Sequence, residues 1–470
     1  MAPNNPPEPC LDTAFGSGKH IDIRFGLRDY GPLDASSSLA PKSIGIGLVG
    51  TAETTEGVSL WLQKCQAGIA AKASKQPRLF PEFPSIDGLT AFRCNIVVDS
   101  SRTRNINRTA LAHLEKIPTN AARVERAVQL FMEELNILCE NTQPQVIICA
   151  PPMQLLEGLA SGTPSAIRYD FHHLLKARAM SLRIPIQIIL PATYDESKSR
   201  KQTKAGILRP LQDEATRAWN IFCALYYKAG GTPWRLIRAS TALQTCYVGV
   251  SFFDSLDRSV LLTSVAQVFN ERGEGVVVRG GTAAISKDDR QPHMSEEAFT
   301  LLRSALARYK EVHRTLPARI VIHKSSSFSE EERLGFEQAL AEVEIESYDL
   351  LHLRKSEGRL YRDGVYPPLR GTLLELSEDQ SILYTRGSVP FFETYPGLYV
   401  PRPTHITIES AEQGMRFLSQ EILALTKLNW NSTQFDGFSP VTLRASREVG
   451  KVLRFCEAGQ KIEPRYSFYM

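Results

Sequence analysis

The chain has 470 residues, 55 lysines and arginines against 51 aspartates and glutamates, a formal net charge of +4, and 43 % hydrophobic residues. That is an ordinary folded-protein composition. It excludes a disordered tail protein, a collagen-like fibre and a strongly acidic binder, and no run of eighteen apolar residues marks a membrane span. The length suggests two or three domains.

The start, MAPNNPPEPCLD, is polar and proline-rich and lacks the basic-then-apolar order of a signal peptide. Eight scattered cysteines without a CxxC pair suit buried thiols in a reducing cytoplasm rather than zinc or disulfides. Residues 1–42 read as an extended segment broken by Gly and Pro. From 43 onward, short apolar runs alternate with helical windows. SIGIGLVG (43–50), FRCNIVVD (92–99), QVIICAPP (145–152) and IPIQIILP (184–191) read as strands. Residues 120–139, with Val124, Ala127, Val128, Phe131, Leu135 and Leu138 at helical spacing, and FHHLLKARAMSL read as helices. This order predicts an α/β fold with a parallel sheet covered on both faces, whose ligands bind at the carboxyl ends of strands. A second unit follows a boundary near 238. TCYVGVSFF (245–253) and RSVLLTSVAQVF form a strand pair, GVVVRGG and ARIVIHKS are further strands, and MSEEAFTLLRSALARYKEVH is an amphipathic helix. The domain expectation is 1–42, 43–238 and 239–470.

Gly45, Gly47 and Gly50 satisfy GxGxxG, but they alternate with Ile44, Ile46 and Leu48 inside a strand instead of forming the turn after it. They read as small residues in a packed strand, not as a dinucleotide site. Adjacent His172 and His173 are expected on different sides of a helix, unable to chelate one ion. His323, inside VIHK, reads as a core residue. No GxSxG, HExxH or P-loop pattern occurs.

The strand at 184–191 runs into ATYDESKSRKQTKAG, which puts Tyr194, Lys198, Arg200, Lys201 and Lys204 at its carboxyl end. Gln212 opens the next helical stretch, and Lys228 stands near its end before Gly230–Gly231. Lysines supply charge, glutamine a donor or acceptor, and tyrosine a flat face: together they suit a terminal phosphate and its base.

With this spacing, followed by Pro233–Trp234, the chain resembles the MID-domain pocket of Argonaute proteins. Further patches of resemblance, including YVPRPTHITI, LNWNS and SPVTLRAS, extend it over roughly 180–470. The resemblance implies a Rossmann-like MID domain packed on an RNase H-like PIWI domain. Tyr194, Lys198, Gln212 and Lys228 would bind a guide 5′-phosphate. A divalent cation such as Mg²⁺ would be completed by Gln212 and the carboxylate of Met470. No room precedes MID for N and PAZ domains, which points to the short prokaryotic class. Slicing members hold two metal ions between carboxylates. Here Ser251, Ser325 and Ser446 take those positions, and Asp254, Glu271 and Glu274 are the nearby acids. A hydroxyl cannot replace a carboxylate in such a centre, so no cleavage is expected. Lys201, Arg279, Lys324, Arg444 and the RPTH stretch at 402–405 are candidates for a nucleic-acid channel.

The expectation is a cytoplasmic sensor subunit for prokaryotic immunity. It would hold a guide RNA, recognise complementary single-stranded DNA, and activate an APAZ-containing effector: a sirtuin-like NADase, a TIR NADase or a nuclease. NAD⁺ depletion or nucleic-acid degradation would follow. The alternatives are an active guide-dependent nuclease with another carboxylate set, and a phosphometabolite enzyme of doubly wound fold.

Overall fold

The computed structural model describes residues 8–13, 18–160, 170–195, 197, 200–202, 208–210, 212–237, 243–268, 275–294, 297–397, 399–435, 437–457, 460 and 462–470. The chain opens with strands β1 (Leu11–Thr13) and β2 (Gly18–His20) and helix α1 (Ile23–Tyr30). The first α/β unit then runs β3 (Ser43–Gly50), α2 (Ala52–Ala67), β4 (Asn95–Asn105), α3 (Arg108–Ala112), α4 (Asn120–Asn141), β5 (Val146–Ala150), α5 (Met153–Ala160), α6 (Phe171–Ala179), β6 (Ile186–Ile188) and α7 (Pro191–Tyr194). Two short strands, β7 (Arg200–Gln202) and β8 (Leu208–Pro210), precede α8 (Glu214–Lys228) and β9 (Arg235–Leu236).

Among the described residues this unit holds a four-stranded sheet of order β4-β3-β5-β6, parallel throughout. Such a sheet buries both faces, so its strands are apolar runs; Ile44, Ile46, Leu48 and Val49 in β3 are at most 2 % exposed. The three glycines of the GxGxxG spacing all lie inside β3. A Cβ on Gly47 would come within 2.7 Å of Leu138 of α4, and one on Gly50 within 2.6 Å of the Ala150 carbonyl oxygen. They are there for close packing of helix and neighbouring strand.

The second unit contains β10 (Thr245–Asp254), β11 (Leu261–Val268), β12 (Gly275–Ile285), β13 (Pro292–Met294), α9 (Ala298–His313), β14 (Arg319–Lys324), α10 (Glu330–Ala341), β15 (Ser347–Lys355), β16 (Leu373–Glu375), β17 (Gln380–Leu383), β18 (Thr404–Ser410), α11 (Met415–Leu425) and α12 (Val441–Leu453). Its sheet has the order β13-β12-β11-β10-β14-β15-β18-β17-β16 among the described residues. β10, β11 and β12 form an antiparallel meander, while β14 and β15 run parallel to β10. Their order, three-two-one-four-five, is that of an RNase H-like sheet. Strand alternation sorts the faces. Cys246, Val248, Val250, Ile320 and Ile322 pack with α9 and α10, whereas Val321 packs with α11 and Phe253 with α12.

The two units share one core. Val449, Leu453, Tyr466, Tyr469 and Met470 belong to the same buried cluster as the strands of the first sheet. Trp234 donates to the Lys427 carbonyl oxygen and Trp430 to the Trp234 carbonyl oxygen, each at 3.2 Å. The chain's opening segment adds a stitch: β1 pairs with β9 as well as with β2, and the Glu8 carboxylate lies 2.9 Å from Arg370 and 2.6 Å from Lys427. No described helix is long and apolar enough to cross a membrane.

Candidate nucleic-acid interface

α8 begins at Asp213, whose side chain accepts from the Thr216 amide at 3.0 Å. It buries Trp219, Phe222, Leu225 and Tyr226. Its last residue, Lys228, is only 5 % exposed. The ammonium donates to the main-chain oxygens of Ser467 (2.9 Å) and Met470 (3.0 Å). Lys176, on α6 and 4 % exposed, donates to the Tyr469 oxygen at 3.2 Å. Two ammonium groups therefore converge on one short segment. Burial, and then the field of Lys176, hold Lys228 well below the usual lysine range. Burial lowers Lys176 from 10.5 to about 7, against the opposing pull of Glu448 and Asp170. One turn earlier, burial and the nearby Lys176 push the His172 imidazole down to about 2, which keeps it neutral. The sequence reading does not place Lys176 and His172 in this cup. The available signal is a lysine in a helix whose Leu174, Leu175, Ala177 and Ala179 are all core residues.

The other predicted pocket members have different neighbours. The half-buried Tyr194 ring lies against Gly57 of α2, where a Cβ would come within 2.8 Å of it. Burial, Asp195 and Glu53 push its phenol up to about 12. Arg217 fixes this turn, donating to the oxygens of Ala192 (2.7 Å) and Thr193 (2.9 Å). Gln212 is exposed and accepts from Asn220 at 3.0 Å. Lys198 lies outside the described residues, and Lys201 is placed only as a member of β7 opposite Arg209. Of the residues expected to hold Mg²⁺, Gln212 turns to Asn220, and one oxygen of the Met470 carboxylate accepts from Lys228.

His172 and His173 differ from expectation. Their ring centroids are 4.9 Å apart, and with Asp170 they form the one cluster of three potential metal ligands among the described residues, all within 4.8 Å. The reason is position. They occupy the first turn of α6, where the Asp170 cap accepts from both backbone amides and lies 3.1 Å from His173 Nδ1.

In the second unit, Gly249, Ser251 and Phe253 share the face of β10 that α12 covers. The backbone of Thr442 sits directly over Gly249, and Phe253 sits over Gly450. Midway along both elements Ser251 meets the level of Ser446, since two strand residues and four helix residues advance by similar distances. The two serines are 1 % and 0 % exposed. Ser446 donates to the Leu443 oxygen at 3.2 Å. Ser325 follows β14, half-buried, its amide 3.3 Å from the Val250 oxygen. Asp254 is the exposed last residue of β10, and Glu271 and Glu274 lie outside the described residues. His323 is fully buried, 2.8 Å from Thr442 Oγ1, and burial keeps it neutral at about 3.

The channel candidates divide. Lys324 points to the opposite face of the sheet from His323 and is 0 % exposed. It pairs with Glu332 at 2.7 Å beneath the rings of Phe252 and Phe328, so it presents no charge to a phosphate. Arg279, on β12, donates to the Glu457 oxygen at 2.8 Å beside the carboxy-terminal segment. Arg444 and Arg402, by contrast, line one open cleft of about 500 Å³ together with Lys355, Arg386 and Arg447. Tyr395, Tyr399 and Phe438 complete its walls, and no carboxylate lines it among the described residues. Arg444 and Arg447 are one turn apart on α12, and Arg447 Nε donates to the Leu443 oxygen at 3.0 Å. Five cations with aromatic rings between them attract phosphates and offer faces to bases. Lys355, Arg386 and Arg447 escape the sequence reading because five positions spread over 93 residues leave no local charge run, and a net charge of +4 hides them.

No protein-family model and no curated protein sequence matches the chain. Solved structures do. Clostridium butyricum Argonaute bound to a guide DNA and a 19-mer target DNA superposes with a TM-score of 0.65 at 16 % identity, covering 97 % of this chain and 53 % of that one. Aa-Ago with externally bound siRNA gives 0.61 at 16 % identity over 100 % of this chain and 56 % of its own. A. aeolicus Argonaute gives 0.55 at 15 % identity, over 99 % and 54 %. The chain spans a little over half the length of these proteins, and its α/β architecture is the MID–PIWI-like fold of Argonautes.

Proposed function

We propose that this protein binds a 5′-phosphorylated guide RNA and uses it to recognise complementary single-stranded DNA without cutting it. The observation that carries the reading is the open cleft of five cations, lined by no described carboxylate and set in a fold shared with guide-binding proteins. Phosphate contacts of this kind hold a strand without reading its sequence, so base pairing supplies specificity. The buried lysine cup of Lys176 and Lys228 is the counterpart for the guide's terminal phosphate. Its protein oxygens would give way to stronger, charge-assisted bonds. Non-cleavage is supported by Ser251 and Ser446, neutral groups closed inside a helix–strand contact.

The signal then passes to a separate APAZ-containing effector, a sirtuin-like or TIR NADase or a nuclease, in a defence response in the cytoplasm. The test is anisotropy with 3′-labelled guide RNA, followed by capture of complementary against scrambled DNA, with Mn²⁺ present to report cleavage. Guide-dependent capture without cleavage is expected. Equal capture of scrambled DNA would reject the reading.

A further inference from the structure

A second cavity lies in the first unit, at the carboxyl ends of β3 and β5. In the order β4-β3-β5-β6 the connection after β3 runs to one side and the connection after β5 to the other, and open parallel sheets receive ligands at such a point. Thr51 follows β3 there, and Pro152 follows β5, so the amino ends of α2 and α5 both face the opening. Its volume is about 200 Å³, below the ~300–1,000 Å³ of pockets that enclose a drug-sized ligand, so a ligand of that size must project past the open rim.

One wall is apolar, with Leu114 and Leu155 (4 % and 8 % exposed) beside Leu159. Arg123 lines the other side. Its Nη1 reaches the Gly158 oxygen at a long 3.3 Å, and its buried Nε has no acceptor among the described residues. The protein satisfies this guanidinium poorly, as a site awaiting an anion would. Gln154, Glu115 and Arg108 stand at the rim. Above Gly158 a Cβ would meet no heavy atom of the described residues within 4 Å, a second sign of space at this wall.

We infer that this cavity binds a free nucleoside 5′-monophosphate. The phosphate would take Arg123 and the amino end of α5, since the amino end of α2 is already capped by Thr51 and carries Glu53; the base would lie on the leucine wall, and the rim would meet its polar edge. A sugar phosphate has no apolar face to match that wall. A dinucleotide needs a bare glycine turn after β3; here that turn is Thr51, whose side chain is occupied in capping α2.

The inference does not depend on guide binding, and the cup around Lys228 is the competing location for the same probe. The experiment is calorimetric titration of the full chain with AMP, GMP, CMP and UMP, using Gly158→Leu to fill the space, Arg123→Gln to remove the charge, and Lys228→Ala as the control. Saturable binding that falls at least tenfold in the first two variants and persists in Lys228→Ala is expected. Gly158→Leu enters open space, so it should fold and still bind guide RNA. Loss only in Lys228→Ala would move the nucleotide to the cup and overturn the proposal. So would the absence of binding tighter than about 1 mM by any of the four nucleotides.

Discussion

In the first unit, Lys176 and Lys228 are sealed from solvent and direct their hydrogen bonds to main-chain oxygens of residues 467–470. In the second, Lys355, Arg402 and Arg447 stand exposed around an open cleft. The charges are alike and their environments are opposite. A buried ammonium has given up most of its hydration before any ligand arrives, so it can discriminate between one terminal group and another. An exposed guanidinium is screened by salt and acts on every phosphate alike. On the proposed function, the cup would select and the cleft would hold.

The largest way to break the comparison is charge reversal in the cleft. Arg444→Glu with Arg447→Glu should weaken single-stranded nucleic acid binding by about 100-fold at low salt. It should also flatten the salt slope by roughly 0.7 for each phosphate that is no longer neutralised. Filter binding across a salt series reads both, and an unchanged slope would remove the cleft from the interface. Ser251→Asp tests the other face of the same helix. A carboxylate there has no solvent, so stability should fall by on the order of 3–5 kcal/mol, with no cleavage of target in Mn²⁺. A stable variant that cuts would show the centre to be a dormant slicer.

Lys228→Ala should reduce the preference for a 5′-phosphate over a 5′-hydroxyl by about 10–100-fold. Unlike the cleft variant, its loss should be nearly independent of salt. A separate effect is in pH. Lys176 titrates at about 7 when folded, against an ordinary value of 10.5. Between those values the unfolded chain holds the extra proton, so stability rises with pH; below about 7 the penalty is present in full. Lys176→Met should flatten that rise in urea denaturation from pH 7 to 10.

The sheets were legible because their strands are unbroken apolar runs. SIGIGLVG is β3 residue for residue, and α4 begins and ends within two residues of its apolar periodicity. The opening sheet was not legible: β1 and β2 are three residues long and β1's other partner, β9, lies more than 200 residues away. Lys324 looked available because it is the last residue of its strand. The alternation that buries Ile320 and Ile322 against α9 and α10 also carries Lys324 to Glu332. Mid-helix geometry separates adjacent side chains, but His172 and His173 sit at a helix start, where the Asp170 cap gathers them.

One helix carries a mechanical consequence. α12 presents Arg444 and Arg447 to the cleft, while its reverse side rests on Gly249 and Phe253 without clearance. It cannot roll toward an arriving strand without pushing on the middle of the nine-stranded sheet. A strand bound outside would thus load the contact inside, like one arm of a rocker, and a methyl group at Gly249 would collide with the Thr442 backbone.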